Sequence, residues 1–215
     1  MNREQLKHIL RAASAITKQG RFVVVGSQSI VGTIPEPPGV LGYSAEADIY
    51  PLDAPELADL IDGSIGEGSP FHEMFGYYAQ GVGPETAVLP EGWQYRLNQV
   101  RDPITLADGY CLDPTDMAAS KLVAWREKDK EFLNAMLESR LIDRGALEHR
   151  VLQIPQERLS EYGLTHEELT RRISLLGQTI SERQLPDRAK GNEPSTIEGM
   201  RRALPLRKKS KGLDR

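Results

Sequence analysis

Two carboxylates stand two residues apart in the run Ala45-Glu46-Ala47-Asp48-Ile49-Tyr50, which alternates loosely between apolar and polar residues. If this run is a strand, Glu46 and Asp48 point to the same face and lie about 7 Å apart along it. Carboxylates so placed repel each other unless water or a cation separates them. One or two Mg²⁺ ions held there would bridge nucleotide phosphates and activate an attacking hydroxyl. The alternative interpretation is a solvated strand face.

A second candidate element precedes the acids. The apolar run Val23-Val24-Val25 leads directly into Gly26 and Ser27. A glycine after a strand lets the backbone approach a ligand closely, and the N–H groups that begin a helix favour an anion. The sequence therefore predicts that Gly26 and Ser27 hold a phosphate group. A Gly-Ser pair after a strand is also common in simple turns, which is the alternative.

A cation is predicted to face inward on a later helix. Lys121 lies one turn from both Met117 and Trp125, so its ammonium is placed among apolar residues and away from the polar face. A cation directed inward suits the binding of phosphate charge, and Arg126 follows one turn on. The alternative is a lysine that extends to solvent beside salt-bridged neighbours such as Asp129 and Arg126.

Other common catalytic motifs are missing from the sequence. It contains no GxxxxGK[ST] phosphate loop, no GxGxxG fingerprint and no GxSxG nucleophile elbow. The histidines, four in number, lack metal-ligand spacing. Cys111 is the single cysteine, which excludes a disulfide framework and a multi-cysteine zinc site. We expect Cys111 to be a buried structural residue.

Helical and strand-like segments that must position these residues alternate along the chain. Helices are predicted after Asn2, from Ser27 to Ile34, after Asp53, from Asp113 to about Ser139, from Arg144 to Leu152, and as a pair that meets near Gly163. Strands are predicted at Arg21 to Val25, Ser44 to Leu52, Thr86 to Leu89, Tyr95 to Val100 and Gly109 to Leu112. This pattern predicts an α/β fold, with a small mixed sheet flanked by helices and followed by a C-terminal helical segment.

Length and composition indicate a globular chain. Its 215 residues are 39% hydrophobic and 27% charged, which suits one domain or one domain with a helical appendage. We expect a core at 1–140, a helical segment at 141–185 and a flexible basic tail at 186–215. No apolar run approaches the roughly 18 residues of a membrane span, and the start lacks a signal-peptide core. A cytoplasmic protein without a membrane partner is therefore expected.

Charge is distributed unevenly. No Lys or Arg lies between Arg21 and Arg96, a stretch of 74 residues that carries eleven Asp and Glu. Residues 183–215 carry ten Lys and Arg against four acids. The acidic stretch is either a solubilising surface or the source of ligands for a divalent metal. The basic tail suggests an RNA acceptor, because cationic segments release counterions from phosphates; a solvated extension without function is the alternative.

The Gly26-Ser27 pair after a strand, the acid pair Glu46 and Asp48, and the helix that carries Lys121 together resemble the DNA polymerase β-like nucleotidyltransferase superfamily. Its mark is an apolar strand, Gly-Gly or Gly-Ser, and then a strand with two acids around one apolar residue. The chain looks like a minimal, AbiEii-like nucleotidyltransferase of bacterial toxin–antitoxin and phage-defence systems, over about residues 5–140. The resemblance implies that Gly26 and Ser27 hold the triphosphate, that Glu46 and Asp48 bind Mg²⁺, and that Lys121 contacts phosphate.

The chain departs from the superfamily pattern in three ways. The gap from Ser27 to Glu46 is longer than usual, and the first acid is Glu where Asp is usual. A third acid, which would help to deprotonate the acceptor hydroxyl, normally comes from a later strand. Glu85 is the candidate for that third acid, and Asp102 is the alternative. Arg126 is a further candidate for nucleotide binding.

The resemblance implies Mg²⁺-dependent transfer of a nucleotidyl group from an NTP to a hydroxyl acceptor, such as tRNA or a protein. A toxin or antitoxin partner protein is implied by the same resemblance. Two other functions remain open: a degenerate nucleotidyltransferase fold that binds a nucleotide or a partner without turnover, and a helical interaction protein whose acidic stretch is only surface. Binding of NTP that survives without turnover would identify the first of these.

Overall fold

A five-stranded mixed sheet organises the computed structural model, which describes residues 1–177. The strands are β1 (Arg21–Val25), β2 (Glu46–Pro51), β3 (Tyr78–Gly81), β4 (Asn98–Arg101) and β5 (Asp108–Cys111). Their order across the sheet is β3-β2-β1-β5-β4. The predicted tail at 186–215 lies outside the described residues, as does the end of the predicted segment at 141–185.

The central strand brings the candidate elements side by side. β1 is antiparallel to β2, with Val25 opposite Asp48, and parallel to β5. β3 is parallel to β2, and β4 is antiparallel to β5. The apolar β1 is buried from Phe22 to Val25, as expected for a strand covered on both faces. The α/β prediction with a small mixed sheet is confirmed.

Helices flank this sheet. They are α1 (Arg3–Thr17), α2 (Ala58–Ile65), α3 (Pro70–Phe75), α4 (Pro114–Ala124), α5 (Glu127–Glu138), α6 (Arg144–Val151), α7 (Gln156–Ser160) and α8 (His166–Leu175). Leu147, Leu159 and Leu169, which follow residue 140, belong to the same buried cluster as the strands. The boundary at 140 stays a prediction. Within residues 1–177, no helix is both long enough and apolar enough to cross a membrane.

Several predicted ends are confirmed by their caps. Asn2 accepts from the backbone of Gln5, whose side chain returns a bond to Asn2, which is a capping box. Asp113 accepts from the first turn of α4, which has Pro114 at its start. The predicted helix at Ser27–Ile34 is a shorter 3-10 helix, Ser27–Gly32.

Three local predictions between residues 53 and 100 are wrong. Asp53 does not cap a helix, because its carboxylate pairs with Arg21. Thr86 to Leu89 is not a strand, since a 3-10 turn at Pro84–Thr86 leads into irregular chain. The strand predicted from Tyr95 begins only at Asn98, after a 3-10 turn. No strand is predicted between residues 69 and 84, but β3 lies there and forms an edge of the sheet beside β2.

The long helix predicted from Asp113 to Ser139 breaks at Trp125. Trp125 adopts a left-handed conformation, with φ of 51°, which costs energy for a residue other than glycine. Arg172 of α8 compensates: Nη1 donates to the Leu122 and Val123 carbonyls at 2.7 and 3.0 Å, and its guanidinium lies 5.4 Å from the Trp125 ring centre. These partners lie about fifty residues away in sequence, so no local pattern predicts the break.

The break brings Lys121 to Asp129. In a continuous helix, residues eight positions apart are separated by about 12 Å along the axis. Because α5 starts in a new direction, Lys121 Nζ instead donates to Asp129 Oδ1 at 3.0 Å. The interruption therefore changes which charged groups meet beside the sheet.

An ion pair between the partly exposed Arg11 and the buried Asp102 joins α1 to the end of β4 and predicts a dependence of stability on pH. Arg11 donates to both oxygens of Asp102, and the Thr105 N–H and hydroxyl donate to Oδ2 at 2.8 and 2.7 Å. Burial alone would raise the pKa of Asp102, but the bonds from Arg11 and Thr105 reverse this and hold the pKa well below its usual range. The folded protein therefore favours the charged carboxylate.

We expect Asp102→Asn to lower the free energy of unfolding at pH 7 by about 2–3 kcal/mol, since it removes hydrogen bonds to a charged group. A depressed folded-state pKa stabilises the protein above the unfolded-state value of about 3.9 and loses this effect as pH falls. The gap between wild type and variant should thus shrink below about pH 4. Urea unfolding from pH 3 to 8 measures it, and a gap that is constant with pH would contradict the assignment.

Candidate functional site

One cavity of about 590 Å³ receives most of the residues singled out in the sequence. Six of the predicted site residues line it: Gly26, Ser27, Glu46, Asp48, Lys121 and Arg126. They come from the end of β1, the start of β2, and the α4–α5 junction. The volume falls in the range of small-molecule sites, about 300–1,000 Å³. The cavity is therefore large enough for a single nucleotide.

The acid pair lies as the strand pattern predicts. Glu46 and Asp48 occupy alternate positions of β2 and line the cavity, whereas Ala47 and Ile49 between and after them are buried in the core. Burial raises the pKa of Asp48 to about 7, and the charge of Glu46 and a hydrogen bond with it act in the same direction. Lys121 has a smaller, opposite effect. The folded site thus disfavours a second negative charge beside Glu46, and a bound cation would favour the fully ionised pair.

Gly26 is fixed by two independent constraints. Its backbone has φ of 63° and ψ of −165°, a region that is essentially restricted to glycine. A Cβ built on Gly26 would lie 1.9 Å from Asp48 Oδ2, closer than any side chain permits. The glycine therefore allows the end of β1 to lie directly against the Asp48 carboxylate, and the approach of Gly26 to a phosphate stays a prediction.

Two cations of the cavity, Lys121 and Arg126, share one buried carboxylate. Asp129 is fully buried and accepts from Lys121 Nζ at 3.0 Å, and from Arg126 Nε at 2.7 Å and Nη2 at 3.3 Å. Burial would raise the pKa of Asp129, but these cations hold it below its usual value. Burial lowers the pKa of Lys121, and Asp129 opposes that effect. Lys121 thus faces inward and also forms the ion pair that the alternative interpretation anticipated.

A divalent cation fits the acid pair with ligands from outside the protein. Mg²⁺ is usually held by one or two carboxylates, several waters and substrate phosphates, and Glu46 and Asp48 supply two carboxylates. Gln80 of β3 lies opposite Asp48 and also lines the cavity. Within residues 1–177, no group of three or more His, Cys, Asp or Glu could hold a metal ion.

The third-acid candidates lie apart from this pair. Glu85 is exposed and does not line the cavity, although its neighbours Thr86 and Ala87 do. Asp102, at the end of β4, forms an ion pair with Arg11 and accepts a hydrogen bond from the Thr105 N–H. The role of Glu85 stays a prediction, and the ion pair gives Asp102 a structural role.

Sequence reasoning missed other residues that line the cavity. Lys128 and Tyr43 belong to it, as does Phe132, whose ring centre lies 4.6 Å from Lys121 Nζ. Lys128 stands in the charged run after Arg126, which was a visible signal. Tyr43 sits in a loop rich in proline and glycine, where no periodicity marks one residue above another.

Comparison with known families gives one match. A family model described as "Nucleotidyltransferase of unknown function (DUF6036)" matches residues 4–166. The matched range contains the whole described sheet and every residue that lines the cavity. No curated protein and no solved structure matches the chain.

Proposed function

Since the chain belongs to the DUF6036 family of nucleotidyltransferases of unknown function, we propose that its cavity transfers a nucleotidyl group from an NTP to a hydroxyl acceptor, with Mg²⁺ as cofactor. One observation carries this proposal. The Glu46–Asp48 pair and the cations Lys121 and Arg126 line the same cavity. A site for a triphosphate and a divalent cation needs side chains of both charges, because carboxylates bind the metal and cationic side chains neutralise the phosphates.

The residues of the cavity have three roles in the proposed reaction. Glu46 and Asp48 hold the cation, which when bound would neutralise phosphate charge and polarise the reacting oxygens. Lys121 and Arg126 bind phosphate oxygens, and Gly26 lets the chain approach them closely. The acceptor hydroxyl oxygen bonds to the α-phosphorus, the bond from that phosphorus to the bridging oxygen breaks, and pyrophosphate leaves. Catalysis consists mainly of positioning and charge neutralisation.

The acceptor is the less defined part of the proposal. The basic residues of 183–215 support an RNA acceptor such as tRNA, because cationic segments bind phosphate backbones. A protein hydroxyl is the other acceptor class, and a toxin–antitoxin or defence setting would add a partner protein. Glu85, which lies outside the cavity but directly precedes the lining residues Thr86 and Ala87, is the proposed acceptor of the proton from a hydroxyl that enters from that side. Deletion of 186–215 should weaken RNA binding and flatten its salt dependence; unchanged binding would remove the tail from the proposal.

A second candidate function is a nucleotide- or partner-binding module without turnover. One observation favours it: the acid pair has no third carboxylate within a metal-binding group in the described part of the chain. Such a module would still bind Mg²⁺ and NTP at Glu46 and Asp48. Binding and turnover therefore have to be measured separately.

Thermal unfolding with ligands tests nucleotide binding. At 100 times the dissociation constant, Mg²⁺ and NTP together should stabilise the protein by about 2.7 kcal/mol, which raises the unfolding temperature by roughly 5–10 °C at this chain length. NTP with EDTA and Mg²⁺ alone are the controls, and both should give smaller shifts. No shift with any NTP would contradict both the transferase and the binding module, and would favour a protein whose acidic stretch is only surface.

A further inference from the structure

An exposed tyrosine stands on the wall of the cavity without a partner. Tyr43 lines the cavity, yet its side chain is 81% exposed. Across residues 1–177, its ring makes no aromatic contact and its hydroxyl no hydrogen bond. Large aromatic side chains contribute most to stability or binding when their ring faces are buried against other groups. An uncovered ring beside a charged cavity is therefore available to a ligand.

The segment that carries Tyr43 has a defined shape. Tyr43 follows the 3-10 helix Gly39–Gly42, which packs against α5. Gly42 lies so close to the preceding loop that a Cβ would be 2.4 Å from the Pro37 carbonyl oxygen. Leu41 is buried beneath the segment. The ring of Tyr43 is thus presented by a packed backbone, which reduces the entropy lost when a ligand stacks on it.

Apolar and charged groups meet on this side of the cavity. Val40 from the 3-10 helix and Phe132 from α5 line the cavity together with Tyr43. Lys121 Nζ lies 4.6 Å from the centre of the Phe132 ring, so one of these apolar side chains lies next to a cation that is proposed to bind phosphate. A nucleotide has the same construction, because a flat apolar base is joined through a sugar to charged phosphates.

From these contacts we infer that Tyr43 stacks on the base of the incoming NTP, with Val40 and Phe132 forming the apolar wall of the same subsite. The inference deepens the proposed function and rests on it. Stacking on an aromatic ring accepts any base, because each base has a π face. The subsite therefore distinguishes a nucleotide from bare triphosphate and has little selectivity among the bases. The incoming NTP is its occupant, since the cavity that Tyr43 lines also contains the acid pair and the cations.

The test measures equilibrium binding to the full-length protein in Mg²⁺, with ATP, GTP, CTP and UTP, and with inorganic tripolyphosphate, which has no base. Tyr43→Ala should weaken binding of each NTP about 5- to 100-fold, the effect of losing one stacked base, and leave tripolyphosphate binding unchanged. Tyr43→Phe should bind NTP like wild type. Tyr95→Ala is the matched control, because Tyr95 is 92% exposed but does not line the cavity.

The outcomes separate this inference from the proposed function. Equal NTP binding by wild type and Tyr43→Ala would overturn the base subsite alone. Equal losses for NTP and tripolyphosphate would also overturn it, since they would show a general disturbance of the cavity. Unchanged NTP binding with weaker use of an RNA acceptor would assign the ring to the acceptor and overturn the inference. Wild type that binds neither NTP nor tripolyphosphate would overturn the proposed function itself.

Discussion

Asp48→Asn is expected to lower Mg²⁺-dependent nucleotidyl transfer by at least about 100-fold, the scale of losing one preorganised charge-stabilising group in an active site. The same change should leave the unfolding temperature in EDTA unchanged or higher. Burial and the charge of Glu46 raise the pKa of Asp48, which means that the folded protein disfavours its charged form. The neutral amide of the variant would carry no charge, so the repulsion between Glu46 and an ionised Asp48 would be absent. Loss of activity with retained stability is the mark of a functional site.

Asp59→Asn is the matched control for this experiment. Asp59 is an exposed carboxylate on α2, in the same acidic stretch of sequence, and it does not line the cavity. Transfer and Mg²⁺-dependent NTP binding should equal those of wild type in this variant. Full transfer by Asp48→Asn would contradict a catalytic role for Asp48. A much lower unfolding temperature would also contradict it, since it would indicate a structural carboxylate.

Asp129→Asn is expected to lower the free energy of unfolding by about 3–5 kcal/mol, the cost of removing one partner from a buried ion pair. The Lys121 side chain is only 11% exposed and has Asp129 as its ion-pair partner. Without that charge, the ammonium is left buried against Phe132. NTP binding should weaken as well, because Asp129 orients both Lys121 and Arg126. Urea unfolding and NTP titration measure the two effects.

Lys121→Met should cost much less stability, at most about 1–2 kcal/mol. In that variant Asp129 keeps its bonds from Arg126, and Met packs against the Phe132 ring. Combining Lys121→Met with Asp129→Asn should restore much of the stability that Asp129→Asn loses, since no buried charge is left unpaired. Glu138→Gln is the matched control, because Glu138 is an exposed carboxylate on α5, the helix that contains Asp129. It should change the free energy of unfolding by no more than about 0.5 kcal/mol. Additive losses in the double variant would contradict this coupling.

The sequence predicted the parts of the site whose geometry is local. Strand alternation places Glu46 and Asp48 on one face. The apolar run before Gly26 predicts a buried strand, and the glycine predicts a backbone that can be approached closely. Asp113 and Pro114 predict the start of α4 from the chemistry of one helical turn. In each case, neighbouring residues contain the physical cause, so composition and spacing are sufficient.

The missed parts depend on contacts between distant segments. Trp125 breaks the long helix because Arg172 satisfies the carbonyls at the end of α4, and the Lys121–Asp129 pair follows from that break. Aspartate is a good capping residue by type, but the carboxylate of Asp53 accepts hydrogen bonds from Arg21 on β1. β3 is short and lies at the edge of the sheet, so pairing with β2 specifies it more than its own sequence does.

Transfer of label from NTP shows whether the cavity catalyses nucleotidyl transfer. The wild-type protein is incubated with Mg²⁺ and each NTP, labelled at either the α- or the γ-phosphate, with total tRNA or the protein itself as acceptor. We expect α-label to become attached to the acceptor while γ-label leaves in pyrophosphate, and we expect Asp48→Asn to lower the attachment by at least about 100-fold. Attachment of γ-label would indicate phosphoryl transfer and contradict the account. NTP binding without attachment of either label would contradict transfer and support the binding module.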